Sequence, residues 1–156
     1  MNNKIFVVAE MACSHDGSVR LAKKIIDGAG KSSSDAIQLQ IWSVKEMMTP
    51  DRSEYKILKG IEFTFETWQS IINYSKENYP KMKVLVCVYE NGTIDQVKKL
   101  KKVDGFKINS SDLSNNKLLV DIGKTNKVIH LSVGASKLNE INDAVKILKK
   151  YSSSRV

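Results

Sequence analysis

Five short apolar runs alternate with amphipathic helical patterns along this chain, and that alternation is its most constraining feature. The runs are Lys4–Glu10 (KIFVVAE), Ala36–Trp42 (AIQLQIW), Lys83–Glu90 (KVLVCVYE), Gly105–Asp112 (GFKINSSD) and Lys127–Gly134 (KVIHLSVG). Each has strand length and is rich in Val, Ile or Leu, as buried strands are. Helical periodicity follows each one. Ser18–Gly28 gathers Leu21, Ala22, Ile25 and Ile26 on one face. Thr64–Tyr79 gathers Phe65, Trp68, Ile71 and Ile72, with Phe63 placed to staple against Trp68 across a Thr64 N-cap. The pattern returns at Ile94, Val97 and Leu100, at Leu118, Leu119 and Ile122, and at Leu138, Ile141, Val145 and Leu148. Strict alternation of strand and helix requires parallel strands joined by helical crossovers.

Two architectures satisfy that rule: part of a (β/α)8 barrel, or an open doubly wound five-stranded sheet. A complete barrel takes about 250 residues, so a chain of 156 residues supplies five of its eight units. The last three strands begin at 83, 105 and 127, two equal spacings of 22 residues. The long connection Ser43–Phe63, with Thr49-Pro50-Asp51 inside it, is expected to cross over the strand ends. The serine runs at 32–34 and 152–154 read as a turn and a tail.

Composition removes several classes of function. An apolar fraction of 42% with 27% charged residues fits a packed domain and opposes wholesale disorder. No run approaches the roughly 18 apolar residues of a membrane helix, and the N-terminal apolar run stops at Glu10, too early for a signal peptide. A cytoplasmic protein with no membrane association is therefore expected. Cys13 and Cys87 lie in no C-x-x-C pair and are expected to be reduced thiols. The net charge of +8 resides largely in lysine pairs at helix ends, where cations complement the helix dipole. Without an Arg-rich, aromatic-interleaved segment, nucleic acid is not the expected partner. No Gly-rich dinucleotide fingerprint and no P-loop is present.

In both architectures ligands bind where parallel strands end, and those ends are polar here. The first run ends in Glu10 and leads into Cys13-Ser14-His15-Asp16-Gly17. Gln38 and Gln40 alternate on the second, Lys107, Asn109, Ser110 and Asp112 follow one another on the fourth, and His130 and Ser132 lie on the fifth. Lys107 stands out because an ammonium between Phe106 and Ile108 is costly unless it faces a polar or ligand-filled space. With Gln40 and Ser132 it suits a phosphate or carboxylate; the alternative is a lysine that snorkels to an edge or pairs with Glu10 or Asp112. His15 fits turn stabilisation or substrate contact equally, and His130 and Cys87 fit packed positions. With two histidines in the whole chain, a self-contained His/carboxylate metal site is not expected.

At these strand ends the sequence resembles the sialic acid synthase family, the synthases of N-acetylneuraminate, legionaminate and pseudaminate. The resemblance runs through VVAEMACSHDGSVRLAKKIIDGAG, SDAIQLQIW, SEYKILKGIEFTFETWQSII and GFKINSSDLSNNKLLVDIGKTNKVIHLSVGASKLNEINDAV, in the family's order. It implies a (β/α)8 barrel whose synthase-like portion occupies residues 1–151, with 152–156 as a tail. The implied reaction condenses phosphoenolpyruvate with an N-acylated amino sugar, releasing phosphate and giving a nine-carbon 2-keto sugar acid. Carried over by position, Lys107, Ser110 and Ser132 resemble the family's phosphoenolpyruvate contacts. Glu10 resembles the acid on the sugar side, Gln40 the glutamine of strand 2, and Asp112 a second carboxylate of catalytic type; Gln38 and His15 join them as substrate contacts.

The departures from the family pattern are specific. Gln38 stands where the family has a lysine, Cys87 where it has a threonine, and Val88 where it has a proline; Ser14 and Asp16 replace the asparagines flanking His15. Losing one charge-assisted contact to a phosphate costs on the order of 1.5–3 kcal/mol. The resemblance also implies a divalent metal, Mn or Mg, whose histidine ligands come from strands 6 and 7 and so have no counterpart in this chain. It further implies an arginine donated by a partner's C-terminal antifreeze-like domain. The chain is accordingly expected either to act with a companion chain or homo-oligomer partner that covers the open barrel edges, or to be a degenerate, non-catalytic anion-binding module.

Overall fold

Each of the five apolar runs forms a strand, and all five strands are parallel. The computed structural model describes residues 5–89 and 91–156. The expected strand start at Lys4 and strand end at Glu90 lie outside the described residues. In chain order the elements are β1 (Val8–Glu10), α1 (Val19–Lys31), β2 (Ala36–Ile41), α2 (Val44–Met47), α3 (Ser53–Ile61), α4 (Phe65–Asn78), β3 (Lys83–Val88), α5 (Asn91–Val97), β4 (Gly105–Ile108), α6 (Asn116–Gly123), β5 (Val128–Leu131) and α7 (Leu138–Tyr151). A 3₁₀ turn, Ser110–Asp112, follows β4.

The strands lie in the order β1-β2-β3-β4-β5. Right-handed crossovers that always step in one direction leave the principal helices on the same side of the sheet. The core confirms this: Ile37, Leu39 and Ile41 of β2, Val84, Val86 and Val88 of β3, Phe106 and Ile108 of β4 and Ile129 of β5 pack with α1, α4, α5, α6 and α7. A doubly wound sheet would reverse its strand order and carry helices on both faces, so that alternative is overturned. The chain is five units of a (β/α) barrel with a helix-covered outer face and an uncovered inner face.

Local signals explain the helix boundaries. The Ser18 hydroxyl accepts from Leu21 N at 3.2 Å and starts α1. Thr64 caps α4 by accepting from Thr67 N at 3.2 Å, and the Phe63 and Trp68 rings meet edge to face at 5.1 Å, the expected staple. The long connection between β2 and β3 is more ordered than expected, since it folds into α2 and α3 before α4 begins. Strand 4 is shorter than expected. After Ile108 the chain turns, and Asn115 Nδ2 and Ser111 Oγ both bond the Asp112 carboxylate at 3.4 Å. Such local side-chain bonds compete with a strand ladder.

At Gly105 of β4 an added Cβ would lie 2.7 Å from Val128 O and 3.0 Å from a Leu85 methyl, so only glycine fits between the neighbouring strands without displacement. The residues after α7 run beside β5. Ile129 N donates to Arg155 O at 3.0 Å, and Asn126 Oδ1 accepts from Ser153 N and Oγ at 3.0 and 2.9 Å. Among the described residues no helix is long and apolar enough to cross a membrane.

Candidate functional site

Successive side chains of a strand point to opposite faces, so residues between the core-facing positions line the uncovered inner face. In register these are Gln40, Cys87, Lys107 and His130 across β2 to β5. The neighbouring row holds Glu10, Gln38, Leu85, Gly105 and Val128. Adjacent strands stand roughly 4.8 Å apart, so the β1 and β4 ends of this face are about 14 Å apart along the sheet.

The β1 end is a fixed carboxylate. Glu10 Oε1 accepts from Ala12 N at 3.1 Å and from Gln40 Nε2 at 3.3 Å, while Gln38 Nε2 donates to Oε2. Gln38 is almost fully buried by this arrangement. Tyr89, just past β3, donates from its hydroxyl to Gln40 Oε1 at 2.6 Å. Burial pushes the Tyr89 phenol well above its ordinary range, with the Cys87 thiol adding to the shift and Asn109 opposing it. At neutral pH a phenol keeps its proton in any case, and the hydroxyl is an O–H donor.

The β4 end is cationic. Lys107 is half-buried and has neither an ion pair nor a hydrogen bond among the described residues. The pairings with Glu10 or Asp112 open to it in the sequence are not formed. Its charge is felt by Cys87, whose thiol burial nevertheless pushes up to about 11, with Lys107 pulling it down. A thiol so raised is protonated at neutral pH and is no nucleophile. Cys87 Sγ donates to Asn109 Oδ1 at 3.5 Å, and the buried Asn109 Nδ2 has no hydrogen-bond partner among the described residues. Ser110 and Gly134 share a shallow cavity of about 370 Å³ at the lip of β4 and β5. Ser132 alternates with His130 toward the inner face, and its N donates to Ile108 O at 3.0 Å.

The structure thus brings Glu10, Gln38 and Gln40 into one hydrogen-bonded cluster and places Lys107 and Ser132 on the same face, with Ser110 at its rim. Asp112 and His15 are held inside their own loops. Desolvation raises the buried Asp112 carboxyl above its usual range, against the opposing bonds from Asn115 and Ser111. His15 is completely buried in an aromatic box: its ring stacks on Phe63 at 4.4 Å and meets Trp68 edge-on at 5.4 Å. Its Nδ1 accepts from Gly17 N at 3.2 Å, which leaves Nε2 as the protonated nitrogen, and Nε2 has no partner. Tyr89 is the site residue that sequence reasoning passed over. Its signal was available, because the inner-face alternation Leu85, Cys87 continues to Tyr89.

Burial holds the His15 imidazole below its usual range, with Asp16 partly offsetting. The unfolded chain, with an ordinary histidine near 6.5, then binds a proton that the folded chain refuses. Stability present above about pH 6.5 is lost as pH falls below it. Thermal unfolding should show a Tm that declines from pH 7 to pH 5, and His15→Gln, though less stable, should flatten that decline. Parallel wild-type and variant profiles would remove the burial effect.

A helix-backed arc of five parallel strands with polar strand ends defines part of a (β/α) barrel. Over residues 25–156 the sequence matches the NeuB family, and the chain belongs to it. It is 26% identical over 166 residues to an N,N'-diacetyllegionaminic acid synthase of Campylobacter jejuni, covering 97% of this chain and 49% of that protein. It is 28% identical over 144 residues to an uncharacterised protein of Methanocaldococcus jannaschii, covering 92% and 42%. In structure it is similar to the N-acetylneuraminic acid synthetase of Leptospira borgpetersenii crystallised in complex with citrate, with a TM-score of 0.87, 26% identity, and coverage of 96% of this chain and 52% of that one. The chain spans about half the length of these relatives.

Proposed function

We propose that the inner face binds phosphoenolpyruvate at its β4–β5 end and an N-acylated amino sugar at its β1–β2 end. The two would condense to a nine-carbon 2-keto sugar acid. In that reaction C3 of phosphoenolpyruvate bonds to the sugar aldehyde carbon, water adds at C2, and phosphate leaves. Lys107 supplies the charge for the anion, Ser110 and Ser132 supply hydroxyls, and Glu10, set by Gln38 and Gln40, accepts from the sugar. The observation that carries this reading is Lys107, half-buried on an uncovered face with no ion pair or hydrogen bond among the described residues. A partly desolvated cation without a protein partner is a favourable place for an anion to dock. Likeness to a synthetase that binds citrate, itself a polyanion, agrees with it.

A divalent metal, Mn or Mg, belongs to this reaction in the family pattern, but the described residues do not by themselves form a site for one. Among the described residues no three His, Cys, Asp or Glu side chains converge to hold a cation. A companion chain or a second copy covering the β1 and β5 edges is part of the proposal. Light scattering that finds only a 17.5 kDa monomer would remove that part.

The second reading is an anion-binding module without turnover. It is favoured by Gln38, an amide that holds Glu10 at the place where the family pattern has a lysine. Isothermal titration with phosphoenolpyruvate, followed by phosphate-release assay with an N-acylated amino sugar and Mn²⁺, separates the two. Binding with release supports the synthase, binding without release supports the module, and no binding overturns both.

A further inference from the structure

We infer that Tyr89 is a positioning and specificity-determining residue, whose hydroxyl orients Gln40 so that Glu10 receives hydrogen-bond donors and not anions. The inference rests on the proposed sugar end of the site and deepens it. A glutamine amide can present either its oxygen or its nitrogen to a neighbour. The Tyr89 phenol, protonated at neutral pH as phenols are, offers Gln40 a donor, which engages Oε1 at 2.6 Å and leaves Nε2 to face Glu10 at 3.3 Å. The reverse orientation would set Oε1 against a carboxylate. The Tyr89 ring is itself fixed, edge-on to the buried Trp42 at 6.4 Å.

The consequence for ligand choice follows by counting. An ionised carboxylate has about four acceptor positions. Ala12 N, Gln38 Nε2 and Gln40 Nε2 fill three at Glu10. The remaining position accepts one O–H or N–H, which a neutral hydroxylated or amide-bearing ligand carries and a fully ionised phosphate or carboxylate lacks. Anions are thereby left to the Lys107 end, across the sheet. One tyrosine hydroxyl thus helps sort two ligand classes to opposite ends of one face.

Tyr89→Phe keeps the ring and its packing and removes only the hydroxyl. Without any ligand, the Gln40 side-chain NH₂ resonances in a ¹⁵N-correlated NMR spectrum should move toward those of a solvated glutamine in the variant. Unchanged Gln40 signals overturn the positioning role, whatever ligands bind. With N-acetylmannosamine as the neutral probe and phosphoenolpyruvate as the anionic one, titrated separately, Tyr89→Phe should weaken the sugar about fivefold, the loss of one neutral hydrogen bond. Phosphoenolpyruvate should change by less than about twofold. In a Gln40→Ala background the same substitution should have no further effect on the sugar, as expected of a residue acting through Gln40. Equal losses for both probes, or additive losses in the double variant, overturn the specificity role. Wild-type protein that binds phosphoenolpyruvate and no neutral sugar also overturns it. Wild-type protein that binds neither probe refutes the proposed function, while the NMR comparison still decides the positioning role.

Discussion

Replacing Lys107 with methionine is expected to lower phosphoenolpyruvate affinity at least tenfold while leaving the fold intact. Lys107 is half-buried on the inner face and has no ion pair or hydrogen bond among the described residues. A charge-assisted hydrogen bond contributes on the order of 1.5–3 kcal/mol, which is roughly one to two decades in Kd. Methionine has similar length and fills the same space. Removing an unpartnered ammonium relieves desolvation, so Tm should hold or rise slightly. Titration calorimetry and thermal unfolding together read both effects. Unchanged affinity would show that the anion does not dock beside Lys107, and an unfolded variant would show that the lysine was structural.

Trp68→Ala should give the largest loss of stability, about 3–5 kcal/mol. The ring is 1% exposed in the α4 face of the core and packs edge-on against both His15 and Phe63. Its removal opens a cavity and also undoes the staple that sets the start of α4. Since a domain has about 5–15 kcal/mol of total stability, the shift in urea midpoint should be plain. A change under about 1 kcal/mol would mean that the indole is not packed as described. Trp68→Phe should cost less, because an aromatic edge is retained.

Much of this architecture was legible in the sequence. The short apolar runs and the 3.6-period faces located each strand and the principal helices, and the capping of α4 by Thr64 followed from local chemistry. Lys107 stood out because a cation inside an apolar run carries a cost. The helices α2 and α3 were hidden by the short, polar, proline-containing segment around Thr49-Pro50-Asp51. The early end of β4 was hidden as well, since the bonds of Ser111 and Asn115 to Asp112 replace the ladder there. The box around His15 brings Trp42, from the end of β2, together with the Phe63–Trp68 staple at the start of α4; the staple is local, but no local pattern announces its meeting with His15 and Trp42.

By itself the sequence determined that the strands are parallel and which side chains alternate along each, because both follow from spacing within one element and its neighbour. Only the tertiary structure decided that the strands run in the order β1 to β5 with helices on one face. Only it linked Gln38, Gln40 and Tyr89 to Glu10, and left Lys107 without an ion-pair or hydrogen-bond partner among the described residues. Those outcomes depend on inter-strand register and on the direction of each crossover. Both are set by contacts between residues tens of positions apart, which local periodicity does not encode.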